Sequence, residues 1–295
     1  MMPTLGWMLV WTNGTISPPE EARISVFDRG FMYGDAVYEL VRFFGGEGFG
    51  LDLHVERLRS NLARTGIEGF DPDRYPTIAG ELLEGLGSGD ATVYLQVTRG
   101  VQMPRRHLPT NDLTPTVVAV ASVAKSLEDL ERPAGVAVSI HPDLRRVHCD
   151  VKATSLLENV LATMSANDSG AQEPILEVGG QLTEGASSSI FLVDRGSLRT
   201  PRLDEPRPIL PGISRRLVVE VAEELGIECR EEAVTARELR EAGEAFLTSS
   251  SRVLAPVTRV DGAEIGSGIA GEVTLRIHRA LVERIRGMSA LHSGA

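Results

Sequence analysis

Lysine is almost missing from this sequence. Lys125 and Lys152 are the only two, and every other basic side chain among its 30 Lys and Arg residues is arginine. Arginine serves wherever charge alone is needed, but guanidinium stays protonated and forms no Schiff base. A surviving lysine is therefore a candidate for amine chemistry. Cysteine is as scarce: Cys149 and Cys229 stand far apart and outside any CxxC pair, which argues against a disulfide framework and a cysteine-based zinc site. The six histidines show no HxxxH-type spacing, so no metal is expected. Positive charge is in deficit, with a net charge of -11, which disfavours nonspecific binding to nucleic acid or to an anionic membrane surface. No apolar run approaches the length of a bilayer span. The N-terminus MMPTLGWMLVW lacks the basic segment and small-residue cleavage site of a secretory leader. The expectation is a cytoplasmic chain with no nucleic-acid or membrane partner.

The remainder is ordinary for a folded chain, 42% hydrophobic and 24% charged over 295 residues, which is long for one core and favours two domains. Residues 1–120 read as a small α/β domain. WMLVW before Asn13-Gly14 predicts a strand and a hairpin turn. Residues 35–44 read as a strand, and Val55, Leu58 and Leu62 place a helix over 52–66. Two further strands follow in TVYLQVTRG and TVVAVASV. Residues 121–133, charged and ending in Pro133, read as an interdomain linker. Residues 134–295 form a larger, strand-rich domain with helices over about 155–168, 213–225 and 271–286. Its strands do not alternate cleanly with helices, so a doubly wound parallel sheet is not expected. Gly266-Ser-Gly268-Ile-Ala-Gly271 matches GxGxxG but lacks the following strand and acidic residue of a dinucleotide fold. Ser187-Ser188-Ser189 lacks the GxSxG elbow of a hydrolase.

Of the two lysines, Lys125 sits in the polar stretch AKSLEDLERP, whereas Lys152 in HCDVKATSLLENVLA lies between a strand-type segment and an apolar helix. A Schiff base between Lys152 and an aldehyde cofactor would need an acid for a pyridine nitrogen, donors for a phosphate, and a cationic trap for a substrate carboxylate. It would also need the lysine free as a general base. Glu184 in QLTEGASSS, Ile213 and Ser214 at the helix start in ILPGISRR, Arg57 in HVERLRSN, and the knot Arg105, Arg106, His107 answer these needs. Taken singly, Glu184 reads as a solvated turn carboxylate, Ser214 as an ordinary cap, and Arg57 and the knot as surface charge. Their joint arrival in this order carries the argument.

Several ordered segments, DRGFMYGDAVYE at 28–39, HVERL at 54–58, VYLQVTRG at 93–100, CDVK at 149–152, LTEGASSSIF at 182–191, ILPGISR at 209–215 and FLTSSS at 246–251, resemble the class IV (fold-type IV) aminotransferases over nearly the whole chain, most of all the D-amino-acid enzymes. The resemblance implies an α/β (α+β) fold with a small N-terminal α/β domain and a larger strand-rich pseudo-barrel domain, pyridoxal 5'-phosphate bound between them, and a homodimer. It implies that Lys152 carries the cofactor, Glu184 partners the pyridine nitrogen, and Leu210 supports the ring. Arg57, Ile213, Ser214 and Ser250 match phosphate contacts, and Arg105 and His107 match the pair that binds substrate carboxylate. Small amino acids and 2-oxo acids are the implied partners.

Three departures bear on the substrate. Phe31 stands where the D-amino-acid group has Tyr, while Tyr33 resembles the branched-chain L-selective group. The basic knot lies one residue later after TRG than usual. Position 157 is Leu, where the branched-chain group has Tyr. The expectation is transfer from a D-amino acid; the alternatives on the same scaffold are a branched-chain aminotransferase, an (R)-selective amine transaminase and aminodeoxychorismate lyase.

Overall fold

The computed structural model describes residues 7–292; residues 1–6, part of the segment read above for a leader, lie outside the described residues. The chain divides into two units, one running up to Glu128 and including Val151–Ser155, the other comprising Asp129–Asp150 and Leu156–Gly287.

In the first unit, β1 (Met8–Thr12) and β2 (Thr15–Ser17) form the expected hairpin. A short helix α1 (Arg29–Tyr33) leads into β3 (Ala36–Phe44) and β4 (Glu47–Gly48). Helices α2 (Leu51–Thr65) and α3 (Tyr75–Leu86) precede β5 (Ala91–Thr98) and β6 (Val117–Val123). The strands make a six-stranded antiparallel sheet in the order β2-β1-β6-β5-β3-β4. Alternation along β5 buries Ala91, Val93, Leu95 and Val97, and the apolar faces of α2 and α3 (Leu58, Leu62, Ile78, Leu82) share their core.

The second unit runs β7 (Val136–Pro142), α4 (Leu157–Asp168), β8 (Glu173–Val178), β9 (Gln181–Gly185), β10 (Ser189–Asp194), β11 (Ser197–Thr200), α5 (Ile213–Glu224), β12 (Cys229–Glu231), α6 (Ala236–Glu241), β13 (Glu244–Thr248), β14 (Ala255–Val260), β15 (Ala263–Glu264) and α7 (Glu272–His292). Its nine-stranded sheet is mixed: β7 pairs in parallel with both β8 and β14, while β10, β13 and β14 pair antiparallel. This sheet curls as a half-barrel. Val138, Ile175, Leu182, Ile190 and Leu247 fill its core. The GxGxxG stretch is a turn with Gly266 and Gly268 at φ 54° and 70°, leading into α7.

One boundary differs from expectation. Residues 151–155 fall within the stretch read as the second domain, yet they cluster with the first unit. The cause is backbone pairing: Ala153 bridges Val37, the Tyr38 N–H donates to the Lys152 carbonyl at 3.0 Å, and the Thr154 N–H donates to the Ala36 carbonyl at 3.2 Å. The segment thus behaves as a short extra strand on the edge of β3, satisfying groups that a bare edge would leave open.

Candidate active site

Lys152 therefore rests on a sheet edge rather than on a loop. Its Nζ lies 4.2 Å from the centre of the Tyr38 ring, a cation–π contact. Below it is a buried charge cluster. Arg57, on α2, grips Glu39 of β3 with Nε to Oε1 at 2.8 Å and Nη2 to Oε2 at 2.7 Å. His54 Nδ1 meets the same Oε2 at 2.7 Å. Arg57 is thus no surface arginine; its side chain is 9% exposed. Burial alone would raise the Glu39 carboxyl, but the Arg57 charge and the bonds from Arg57 and His54 bring it down to about 2. Burial lowers His54 below its ordinary range, against the pull of Glu39 and with help from Arg57 and Lys152. A neutral His54 donating from Nδ1 to an ionised Glu39 satisfies both directions.

The candidate carboxylate trap also lies in the first unit. Arg105 Cζ sits 4.7 Å from the Tyr33 ring centre and the His107 ring 5.4 Å from it. Both belong to an exposed loop held from beneath by Arg29. Arg29 donates to Asp35 at 2.7 Å, to Gln102 at 2.8 Å, and to the carbonyls of Arg106 and His107 at 2.7 and 2.8 Å. Burial would raise Asp35, but bonds from Arg99 and Arg29 bring it below the usual range. The Tyr33 hydroxyl is buried and has no hydrogen-bond partner among the described residues. Phe31 is 69% exposed and has none of these ring contacts among the described residues.

Glu184, in the second unit, ends β9. It is no solvated turn carboxylate; it is 5% exposed. Its Oε1 accepts from Arg145 Nη1 at 2.6 Å and from the Leu210 N–H at 3.3 Å, so the structure brings together two of the sequence-predicted residues. Burial lifts Glu184 above the ordinary carboxylate range, opposed by Arg145 and the Leu210 N–H. Ile213 and Ser214 open α5, where Gly212, not Ser214, is the N-cap and no side chain caps the helix. Uncapped N–H groups at such an end favour an anion. Gly212 packs close to β10: a Cβ there would lie 2.9 Å from Ser189 Oγ. Ser250 lies between β13 and β14, in a loop closed by Thr248 Oγ1 donating to the Val253 carbonyl at 2.6 Å. Glu173 anchors two loops, accepting from Ser187 N–H at 2.9 Å, Ser188 Oγ at 2.9 Å and Arg252 Nη1 at 3.0 Å.

Sequence reasoning did not assign Arg29, Glu39, His54, Arg145 or Asp143. Arg29, Glu39 and His54 lie inside segments quoted for the resemblance. Arg145 and Asp143 carried no signal beyond charge in HPDLRR.

Residues 36–260 match the family model described as Amino-transferase class IV. The chain is 36% identical over 284 residues to a D-alanine aminotransferase of Bacillus licheniformis, covering 96% of this chain and 99% of that one. In fold it is similar to the branched-chain aminotransferase of the archaeon Thermoproteus uzoniensis with norvaline, at a TM-score of 0.84, 28% identity and 96% coverage of both chains. It is also similar to the T.th. branched-chain amino acid aminotransferase with pyridoxamine 5'-phosphate, at a TM-score of 0.84 and 26% identity, covering 95% of this chain and 94% of that one. The chain belongs to the class IV aminotransferases. It is accordingly a pyridoxal-phosphate-dependent enzyme, and each unit by itself carries residues whose chemistry suits that cofactor: an amine in the first, and a buried carboxylate and an uncapped helix end in the second.

Proposed function

We propose that this enzyme moves the amino group of a D-amino acid, such as D-alanine, to a 2-oxo acid, such as 2-oxoglutarate. The observation that carries the reading is the pair Arg105 and His107, the D-amino-acid type of carboxylate trap, set 4.7 and 5.4 Å from the ring centre of Tyr33, whose buried hydroxyl has no partner among the described residues. A buried hydroxyl left unpaired costs about 1–3 kcal/mol, and a substrate carboxylate relieves that cost with charge-assisted bonds. The relationship to D-alanine aminotransferases supports the same substrate class. Tyr33 supplies a hydroxyl to the trap that Phe31 lacks, while the Phe31 ring offers the substrate an apolar wall.

When bound, pyridoxal phosphate supplies the electron sink that makes the substrate Cα–H acidic. Lys152 would hold the cofactor through Nζ, and the same amine, when free, would serve as the general base toward the substrate Cα–H. Glu184 would keep the ring nitrogen protonated, and the Leu210 side chain would support the ring. Arg57 in the first unit, and the N–H groups of Ile213 and Ser214 with Ser250 in the second, would supply donors for the phosphate.

A branched-chain L-amino-acid reading has its own support, in Tyr33 and in the similarity of fold to branched-chain enzymes; Leu157, in place of Tyr, counts against it. The deciding experiment mixes purified holoenzyme with D-alanine or with L-leucine and follows the absorbance of the lysine-bound cofactor. Bleaching by D-alanine is expected; bleaching by L-leucine alone would overturn the assignment. Lys152→Ala should abolish turnover and leave no cofactor fixed to protein after borohydride reduction, and surviving turnover would sink the mechanism.

The working form is a homodimer. Leu157, Val160, Leu161 and Met164 recur at i, i+3, i+4 and i+7 along α4, and each is exposed, a stripe that a second copy of the chain would cover. The free thiols Cys149 and Cys229 suit a reducing, cytoplasmic compartment.

A further inference from the structure

Around Glu184 stands a set of charges that the functional reading does not use. Arg145 reaches Glu184 Oε1 with Nη1 at 2.6 Å, while its other edge is tied to Asp143, Nε to Oδ1 at 2.9 Å and Nη2 to Oδ2 at 2.7 Å. Asp143 is itself fixed, accepting from Thr183 Oγ1 at 2.9 Å and from the Arg145 N–H at 3.1 Å. Arg207 closes the cluster from the far side. Its guanidinium lies 3.2 Å from Asp143 Oδ1 and donates to the carbonyls of Asp143, Arg145 and Arg146 at 3.0, 2.6 and 2.5 Å. The Arg145 side chain is 7% exposed and that of Asp143 is fully buried. Arg145 is therefore held along its whole inner edge and is unable to swing with Glu184. Both bonds to Glu184 fall on Oε1, which leaves Oε2 outside them.

We propose that Arg145, clamped by Asp143 and Arg207, is a positioning residue that keeps Glu184 ionised and reserves Oε2 for the ring nitrogen of the cofactor. This rests on the pyridoxal-phosphate assignment and extends it to residues in the loop after β7 and in the segment between β11 and α5.

The physics is one of charge compensation. An ionised carboxylate removed from water without a partner takes up a proton instead. Two carboxylates, Asp143 and Glu184, face two guanidiniums, Arg145 and Arg207, so the cluster is balanced while Glu184 is charged. The nearby Cys149 thiol adds no charge, because burial pushes it up. Burial would likewise raise Asp143, but the bonds from Arg145 and Thr183 bring it below the usual range. Without Arg145, burial and the Asp143 charge outweigh the single Leu210 N–H bond to Glu184, and the acid becomes neutral. A neutral Glu184 no longer balances a protonated ring nitrogen, and the electron sink weakens.

Infrared difference spectroscopy of the full chain at pH 8, with and without pyridoxal phosphate, tests this directly. The Glu184 band is assigned by its loss in Glu184→Gln. The wild type should show an ionised carboxylate. Arg145→Met should convert it to the protonated carboxylic-acid band, and Arg145→Lys should restore the carboxylate. Arg145→Gln keeps a polar side chain there but no charge, and should move the Glu184 titration midpoint upward; it serves if Arg145→Met does not fold. An ionised Glu184 at pH 8 in Arg145→Met, or an unmoved midpoint in Arg145→Gln, would overturn the proposal. Failure of wild type to take up pyridoxal phosphate would instead overturn the cofactor roles proposed for Lys152 and Glu184. The infrared result on the ligand-free chain would still stand.

Discussion

Glu39 takes both ends of the Arg57 guanidinium and His54 Nδ1 within 2.8 Å while fully buried. A charge network of this kind is costly to break from one side, because the remaining charge has no water to return to. Glu39→Gln should lower stability by about 3–5 kcal/mol, read by chemical denaturation at pH 7; a loss under about 1 kcal/mol would mean that the pair is solvated in solution. The pH dependence has a definite sign. Both Glu39 and His54 titrate lower in the folded chain than their ordinary values of 4.5 and 6.5. Their contributions are therefore complete above about pH 6.5. They are lost on acidification, that of His54 first and that of Glu39 between 4.5 and about 2. Wild-type stability should fall through this range, and Glu39→Gln should flatten its lower part. At this scale the sequence was only partly legible. Lysine scarcity pointed to Lys152 without any structure. The burial of Arg57 did not show, since its partner lies 18 residues away on another element.

Among the elements, several were readable: β3, β5, α2 and α5 fall within a residue or two of their expected ranges, whereas the twelve-residue α3 was not anticipated. The short helices α1 and α6 were not, because five or six residues carry too little periodicity to register. Helix α1 nonetheless positions the carboxylate-trap residues. Asp28 caps it, accepting from the Gly30 N–H at 2.8 Å and from Thr98 Oγ1 at 3.0 Å. Gly34 ends it at φ 65°, where a Cβ would meet Ser155 Oγ at 2.6 Å. Gly34→Ala should thus cost about 1–2 kcal/mol for the left-handed backbone alone, with a further loss from the clash. Adding Ser155→Ala should recover the second part and not the first. A double variant no more stable than Gly34→Ala would show that the two residues do not press on each other.

At the scale of the molecule, α4 is the element least explained by its own chain. Leu157, Val160, Leu161 and Met164 are 67%, 52%, 47% and 58% exposed, an apolar stripe that a solvated helix would not carry. Leu161→Glu should put a charge into the proposed dimer contact and halve the mass measured by light scattering at micromolar concentration. A wild-type chain that is already monomeric would refute the dimer. Two domains were an expectation of the sequence; the pairing of residues 151–155 with β3 was not among its readings. Local patterns report which face of a strand is buried, not which distant strand it joins.

That interleaving governs how the chain can be made and divided. A ribosome that has released the residues up to Glu128 has delivered all six strands of the first sheet, but not the five-residue strap along the edge of β3. Nascent first units must wait with that edge open until the chain has grown past Ser155. Cleavage in 121–133 would separate β3 from the strap that brings Lys152, so two fragments expressed apart should recover the reactive amine on that edge only by annealing across it.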